Sequence, residues 1–378
     1  MQGSIRKKGK NYYIRYYEEI DGQKKQREKV VGPSYDEAEK KLNEVLYKMN
    51  TGYIDKNMLI STYLNMWLED FVKDEMKEST YYTYKTVVNN YIIPKLGNIK
   101  LCDLKVIHIE KFLRDLRKSK LKDGTIHRYY TTLKASLNRA VKLQLLYDNP
   151  CRFVTSPKKG KSTTQILTVD EFNKIYTSLN KNTHQEKTMK LALSIALETG
   201  CRRGELCGLE WKDIDFSDNT ITFNQSLTMY SDKWTITTLK TESSYRTIAI
   251  SNELSEKLRK YKSAVNTNKI KYGARYINNV FNGKHFDLIF VKENGRYIQP
   301  YWLYETFKKL IAKNEINKNI RWHDLRHTSA TIMLENGISM KVIQKRLGHS
   351  SMDTTSNIYS HVTEKMDRDA ISVFNLPI

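Results

Sequence analysis

The sequence runs to 378 residues, more than one hydrophobic core usually organises, so two or three domains are expected. Its 64 Lys and Arg face 42 Asp and Glu, and the resulting +22 is spread along the chain, which points to a polyanionic partner, nucleic acid before anionic membrane. A hydrophobic content of 39% with no low-complexity tract excludes general disorder, and no stretch approaches the ~20 apolar residues of a membrane span.

The N-terminal residues, Met1 to Lys8, put charge before any apolar run and do not read as a signal peptide. Residues 1–52 look like a small unit of their own. Asn11 to Tyr17 is aromatic and β-prone, and Lys24 to Val31 offers another strand, joined through Asp21-Gly22. Gly32-Pro33 breaks the pattern, Ser34 and Glu37 form a capping box, and Ala38, Leu42, Val45, Leu46 and Met49 fall on one helical face. Basic residues (Arg6, Lys7, Lys8, Lys10, Arg15, Lys24, Lys25, Arg27) crowd this unit, and a basic three-stranded sheet can enter a DNA groove.

Residues 59–150 are helical by period. Leu64, Trp67, Leu68 and Phe71 mark one helix; Tyr81, Tyr84, Val87, Val88 and Tyr91 mark the next, which Pro94 is expected to end. Val106, Ile109, Phe112, Leu113 and Leu116 mark a third. A fourth, Tyr129, Leu133, Leu137 and Val141, is expected to close near Asn149-Pro150. The polar faces carry Lys and Arg, as a clamp on a DNA backbone would.

Residues 155–165 have linker composition, and a second capping box, Thr168 with Glu171, opens a domain over 166–378. Helices are expected over 169–180 and 186–198, then a turn rich in arginine and a strand-rich stretch over 219–250. Within it, Trp234–Leu239 and Tyr245–Ile250 read as the two arms of a hairpin. Strands enclosed by helices without βαβ alternation indicate α+β. Cysteine usage (Cys102, Cys151, Cys201, Cys207) has neither CxxC spacing nor disulfide density and reads as reduced and intracellular, with Cys201 and Cys207 as packing residues.

Several side chains in this last domain suit work on a phosphodiester. Arg202 follows a helix that stops at Gly200, so it can stand at a helix junction. Arg326 lies three residues after His323, on the same side of a helical turn. Two guanidiniums on one phosphate give charge-assisted hydrogen bonds and neutralise charge that grows in a pentavalent transition state. A histidine there can move a proton or hold an oxygen. Tyr359 is a candidate nucleophile, though a phenol with a pKa near ~10 needs a base or a positive field to react at neutral pH. His349 lies ten residues before it, and Lys240, at the expected hairpin tip, is a candidate general acid for a leaving oxygen.

The ordered series Thr199-Gly-Cys-Arg-Arg-Gly-Glu-Leu206, then Lys240, then His323-Asp-Leu-Arg-His327, then Leu347-Gly-His-Ser350, then Thr354 to His361 resembles the tyrosine recombinase, or phage integrase, family. Its layout is similar to integrases of temperate phages and conjugative transposons. The resemblance implies an arm-type DNA-binding domain (1–52), a helical-bundle core-binding domain (59–150) and a mainly helical α+β catalytic domain with a C-terminal tail (166–378). It implies site-specific cleavage and rejoining of DNA through a 3′-phosphotyrosyl link on Tyr359, to integrate and excise a mobile element. By position, Arg202 and Arg326 clamp the phosphate, Lys240 protonates the 5′-oxygen, and His323 is an acid/base or phosphate ligand. His349 then binds the phosphate, and Glu205 supports the site from behind. No metal, cofactor or ATP is implied. The partners implied are double-stranded attachment-site DNA, a homo-tetramer formed on it, an excisionase and host DNA-bending proteins; the setting is the bacterial cytoplasm and nucleoid, with no membrane. The tail after Val362 carries Met366, Ile371, Val373, Phe374 and Leu376 and could pack in cis or on a neighbour. Three other readings stand beside this one: a DNA-binding regulator with the same fold, a topoisomerase-like nicking enzyme, and a zinc site on His323 and His327 at i and i+4.

Overall fold

Alternation along β2 (Asn11–Ile20) puts Tyr12, Ile14 and Tyr16 on one face. The computed structural model describes residues 3–20, 23–50, 58–159, 165–230, 233–239 and 241–348, in two units that divide between residues 161 and 162. β1 (Ser4–Lys8) and β3 (Gln23–Gly32) pair antiparallel on either side of β2. Helix α1 (Tyr35–Asn50) covers one face: Ile14, Ala38 and Leu42 are buried together, with Ile5, Tyr12, Val45 and Leu46 packed around them. It starts at the expected cap, where Ser34 Oγ accepts a hydrogen bond from the Glu37 N–H at 3.4 Å. Tyr13, Arg15 and Tyr17 belong to the other face, where Lys8 pairs with Glu28 at 2.6 Å. The Asp21-Gly22 turn and the side chain of Met49 lie outside the described residues.

In the helical module α2 (Ile60–Met66) runs through a π turn, Trp67–Val72, into α3 (Lys73–Glu75). Next, α4 (Glu78–Val87) runs through a second π turn, Val88–Ile92, into α5 (Ile93–Leu96). Helices α6 (Val106–Lys118) and α7 (Asp123–Lys142) follow. The periodic stripes meet in one core of Leu64, Trp67, Leu68, Val88, Phe112, Leu113, Leu133 and Leu137. Two helix ends differ from expectation. Pro94 does not stop its helix, because it sits in the first turn of α5 and the wide π turn ahead of it absorbs the missing N–H. The fourth helix ends at Lys142, well before Asn149. Asn149 instead caps a separate 3₁₀ turn, Pro150–Phe153, its side-chain oxygen accepting from the Cys151 N–H at 2.9 Å.

The second unit opens with α8 (Val169–Thr177) at a complete capping box. Thr168 Oγ1 accepts from Glu171 N–H at 3.1 Å, and Glu171 accepts from Thr168 N–H at 2.8 Å. Helix α9 (His184–Thr199) is buried on nearly every side, through Met189, Leu191, Ala192, Leu193, Ile195 and Ala196, and forms the axis of the core. After α10 (Arg203–Cys207) come β4 (Ile214–Asp215), β5 (Thr220–Phe223), β6 (Gln225–Tyr230), β7 (Lys233–Thr238) and β8 (Arg246–Ala249). The expected hairpin between Trp234–Leu239 and Tyr245–Ile250 does not form: β7 pairs with β6, and β8 pairs with β5 in the order β4-β5-β8. The chain therefore changes sheets between β7 and β8, with a 3₁₀ turn at Glu242–Ser244 ahead of β8. Then follow α11 (Asn252–Tyr272), β9 (Asn279–Phe281), β10 (Lys284–Phe286), α12 (Pro300–Lys313), α13 (Asp324–Glu335) and α14 (Met340–Leu347). This is the α+β arrangement, mainly helical. Cys201 and Cys207 are buried in its core, where burial pushes both thiols up, Cys201 to about 12.

Candidate active site

The turn after α9 is built to expose one arginine. Thr199 Oγ1 donates to the Ile195 carbonyl at 2.7 Å and accepts from the Cys201 N–H at 3.3 Å, so the helix closes on its own side chain. Gly200 takes φ 61° and ψ 24°, the left-handed cap that ends a helix abruptly. Arg202 then stands as the N-cap of α10, a position that usually wants a short polar side chain. Glu205, one turn on, supplies what is missing: its carboxylate accepts from the Arg202 N–H at 2.9 Å and from Nη1 at 2.6 Å. Arg202 also reaches Ser244 Oγ at 3.2 Å and the Gly348 carbonyl at 3.3 Å, with its side chain 40% exposed.

The second arginine arrives on α13. Ahead of the helix, Arg321 closes on Asp324, Nε at 3.1 Å and Nη2 at 2.9 Å, while Trp322 packs edge-on to Phe307. That clasp makes His323 the N-cap and turns Arg326 inward, where Nη1 donates to the Gly200 carbonyl at 2.8 Å. The two arginines thus meet around one turn, one bonded to its glycine and the other two residues beyond it.

Charge is unbalanced here. Burial works against the Glu205 carboxylate, but Arg246 and Arg202 outweigh it and hold the group below its ordinary range. Arg326 is only 2% exposed; burial and the nearby Arg202 push it down to about 9, still a cation at neutral pH. Three guanidiniums (Arg202, Arg246, Arg326) around one carboxylate leave an excess of two positive charges, which an anion would relieve. His323 has an open outer edge, yet burial of its inner side, His327 and Arg326 bring it down to about 4, so the ring is neutral at pH 7 and able to take a proton.

Of the residues singled out in the sequence, the structure brings Arg202, Glu205, His323 and Arg326 together. Lys240, His349 and Tyr359 lie outside the described residues, as does the tail from Val362. His323 and His327 stand edge to face, 5.4 Å between ring centroids, and among the described residues no group of three or more His, Cys, Asp or Glu gathers as a metal-ligand set. Arg246 was missed. The sequence signal for it was slight: an arginine at an inward position of a strand whose alternate residues are buried.

Gly200 is the position least able to change. A Cβ added there would run into Leu347 Cδ2 in a backbone conformation that side chains rarely adopt. Gly200→Ala is expected to destabilise the protein by about 1–3 kcal/mol, lowering the thermal midpoint by several degrees, and to shift the acceptor of Arg326. An unchanged midpoint in a melting experiment would refute the packing account.

Two arginines and a neutral histidine gathered at one turn, with more positive charge than the nearby carboxylate offsets, are a donor set suited to a phosphate. Residues 165–366 match the phage integrase family, and residues 59–117 match the phage integrase N-terminal SAM-like domain. The chain belongs to the phage integrase family, its members also being known as tyrosine recombinases. It is 30% identical to a tyrosine recombinase XerC-like protein of Caldanaerobacter subterraneus subsp. tengcongensis, over 98% of this chain and 97% of that one. It is 27% identical to the integrase of Staphylococcus phage L54a, over 88% and 96% respectively. Among solved structures, the Tn1549 transposon integrase in complex with a circular intermediate DNA superposes with a TM-score of 0.70 at 22% identity, covering 83% of this chain and 99% of that one. A lambda integrase tetramer bound to a Holliday junction gives 0.61 at 19%, with 92% of each chain covered. At these identities the structural likeness speaks for the fold.

Proposed function

We propose that this protein is a site-specific DNA recombinase that integrates and excises a mobile element. Tyr359 attacks a DNA phosphate and keeps the 3′ end as a phosphotyrosyl ester; the freed 5′-hydroxyl of a partner strand reverses the step. Arg202 and Arg326 hold the two non-bridging oxygens, and their excess charge matches the charge that builds up on the pentavalent centre. His323 accepts or returns a proton, Lys240 protonates the leaving 5′-oxygen, His349 binds the phosphate, and Glu205 keeps Arg202 in place. The observation that carries this reading is the meeting of Arg202 and Arg326 at the Gly200 turn, where the guanidiniums outnumber the single carboxylate of Glu205.

Residues 1–52 serve as an arm-type DNA-binding domain, 59–150 as the core-binding domain and 166–378 as the catalytic domain with its tail. The tetramer on DNA, the excisionase and host bending proteins, and the cytoplasmic setting belong to the same reading. Among the described residues no helix is long and apolar enough to cross a membrane. Because the ester conserves bond energy, the reaction needs neither metal nor ATP. On a nicked suicide duplex, the protein is expected to form a detergent-resistant adduct at a rate unchanged by excess chelator and without nucleotide. Loss of the adduct on chelation refutes the metal-free step, and absence of any adduct refutes the enzyme. Exchange of flanks between two duplexes separates a recombinase from a topoisomerase-like nicking enzyme, which would only relax supercoils.

A further inference from the structure

Behind the two clamp arginines stands a third, Arg246, which enters from β8 with Ile248 on the inward side while Thr247 and Ala249 point out. Each of its guanidinium nitrogens has an acceptor. Nη2 gives to Glu205 at 2.9 Å, Nη1 to the Ser244 carbonyl at 2.9 Å, and Nε to the Arg346 carbonyl at 2.7 Å. Its plane lies over Phe223, 4.5 Å from the ring centroid, and the side chain is 4% exposed. A group committed in this way does not turn to a phosphate. What it does is tie together three segments distant in sequence: α10, the 3₁₀ turn Glu242–Ser244 and the end of α14.

We infer that Arg246 is a positioning residue for the strand-transfer reaction and acts through Glu205; this rests on the phosphate-clamp reading given above. Arg246 occupies one carboxylate oxygen and draws off part of its charge. Arg202 holds the other oxygen with its guanidinium and the shared one with its N–H, and it meets a carboxylate whose charge is divided between two guanidiniums. Without Arg246, the whole charge of the carboxylate falls on Arg202, so that the existing ion pair neutralises the phosphate ligand more fully. The same guanidinium anchors the Ser244 carbonyl ahead of β8 and the Arg346 carbonyl near the end of α14. Gly348 shows how close that second contact is: it turns left-handed with φ 68°, and an added Cβ would lie 2.8 Å from the Ser243 carbonyl and 3.3 Å from Arg246 Cδ.

The test uses the full chain and nicked suicide duplexes carrying either a phosphate or an uncharged methylphosphonate at the scissile position, with variants Arg246→Gln, Arg246→Lys, Glu205→Gln and the double Glu205→Gln/Arg246→Gln. On phosphate DNA at saturation, Arg246→Gln is expected to slow adduct formation by about 10²-fold, with DNA affinity changed by less than about threefold. The double variant should be no more than about threefold slower than the slower single, because both substitutions break one chain of contacts. Relative to wild type on the same DNA, the loss should shrink to under about tenfold on the methylphosphonate, whose neutral centre asks less of Arg202. If Arg246→Gln does not fold, Arg246→Lys, which keeps the charge but not the fork, carries the same comparison of the two DNAs. Equal losses on both DNAs, additive effects of the two substitutions, or a wild-type rate in Arg246→Gln would each overturn the inference. A wild-type protein that attaches to neither DNA would instead overturn the recombinase reading itself.

Discussion

Tyr359→Phe is expected to leave a folded protein that binds attachment-site DNA and forms no covalent adduct. The substitution removes one oxygen and keeps the ring, so any packing role of the side chain survives while the nucleophile is lost. No neighbouring group can replace a phenolate at the same distance from phosphorus, and loss of a nucleophile costs about 10⁴-fold or more. A nicked suicide duplex reads this directly, since the wild-type adduct accumulates and survives denaturant. The chain holds 25 tyrosines, so the outcome discriminates. If the Phe variant still becomes attached, another tyrosine is the nucleophile and the assignment of Tyr359 is wrong, while the family and the arginine clamp stand.

The second large effect is expected at Arg326, and it separates activity from stability. Arg326→Gln should slow adduct formation by about 10²–10³-fold, the loss typical of one charged donor to a developing oxyanion. Its effect on folding should be much smaller, within about 1 kcal/mol, because two consequences oppose each other. The hydrogen bond to the Gly200 carbonyl is lost, but so is a buried cation pressed by Arg202 and Arg246. Thermal melting without DNA and adduct kinetics with DNA measure the two sides. A protein that fails to fold would mean that Arg326 is a structural cation first; a protein that cleaves normally would mean that the phosphate is bound elsewhere.

Much of this site is legible along the chain because its signals are local. Thr168 with Glu171 announces α8, and Thr199-Gly200 announces the stop that leaves Arg202 at a junction, since each cap is satisfied within four residues. Apolar stripes at helical spacing locate the four core-forming helices of the first unit for the same reason. Pro94 shows where a local rule is too strict: its missing N–H is absorbed by a π turn, which packing against the core sustains and no short motif signals. The strands are harder. Trp234–Leu239 and Tyr245–Ile250 both look like strands, and both largely are, but each takes its partner from residues 220–230 just upstream rather than from the other.

The family, the order of the reactive positions and the basic, multidomain character were determined by the sequence alone, because they rest on residue identity and spacing. Only the tertiary structure decided that Arg326 bonds the very glycine that exposes Arg202, and that Glu205 is shared between two guanidiniums. It alone decided that Arg246, on a short strand, is a buried member of that group. Contacts between segments 41 and 126 residues apart leave no pattern in either segment, since an arginine reads the same whether it faces water, a carbonyl or a carboxylate. Folding supplies the difference: burial makes an unpaired charge so costly that partners must be found across the fold.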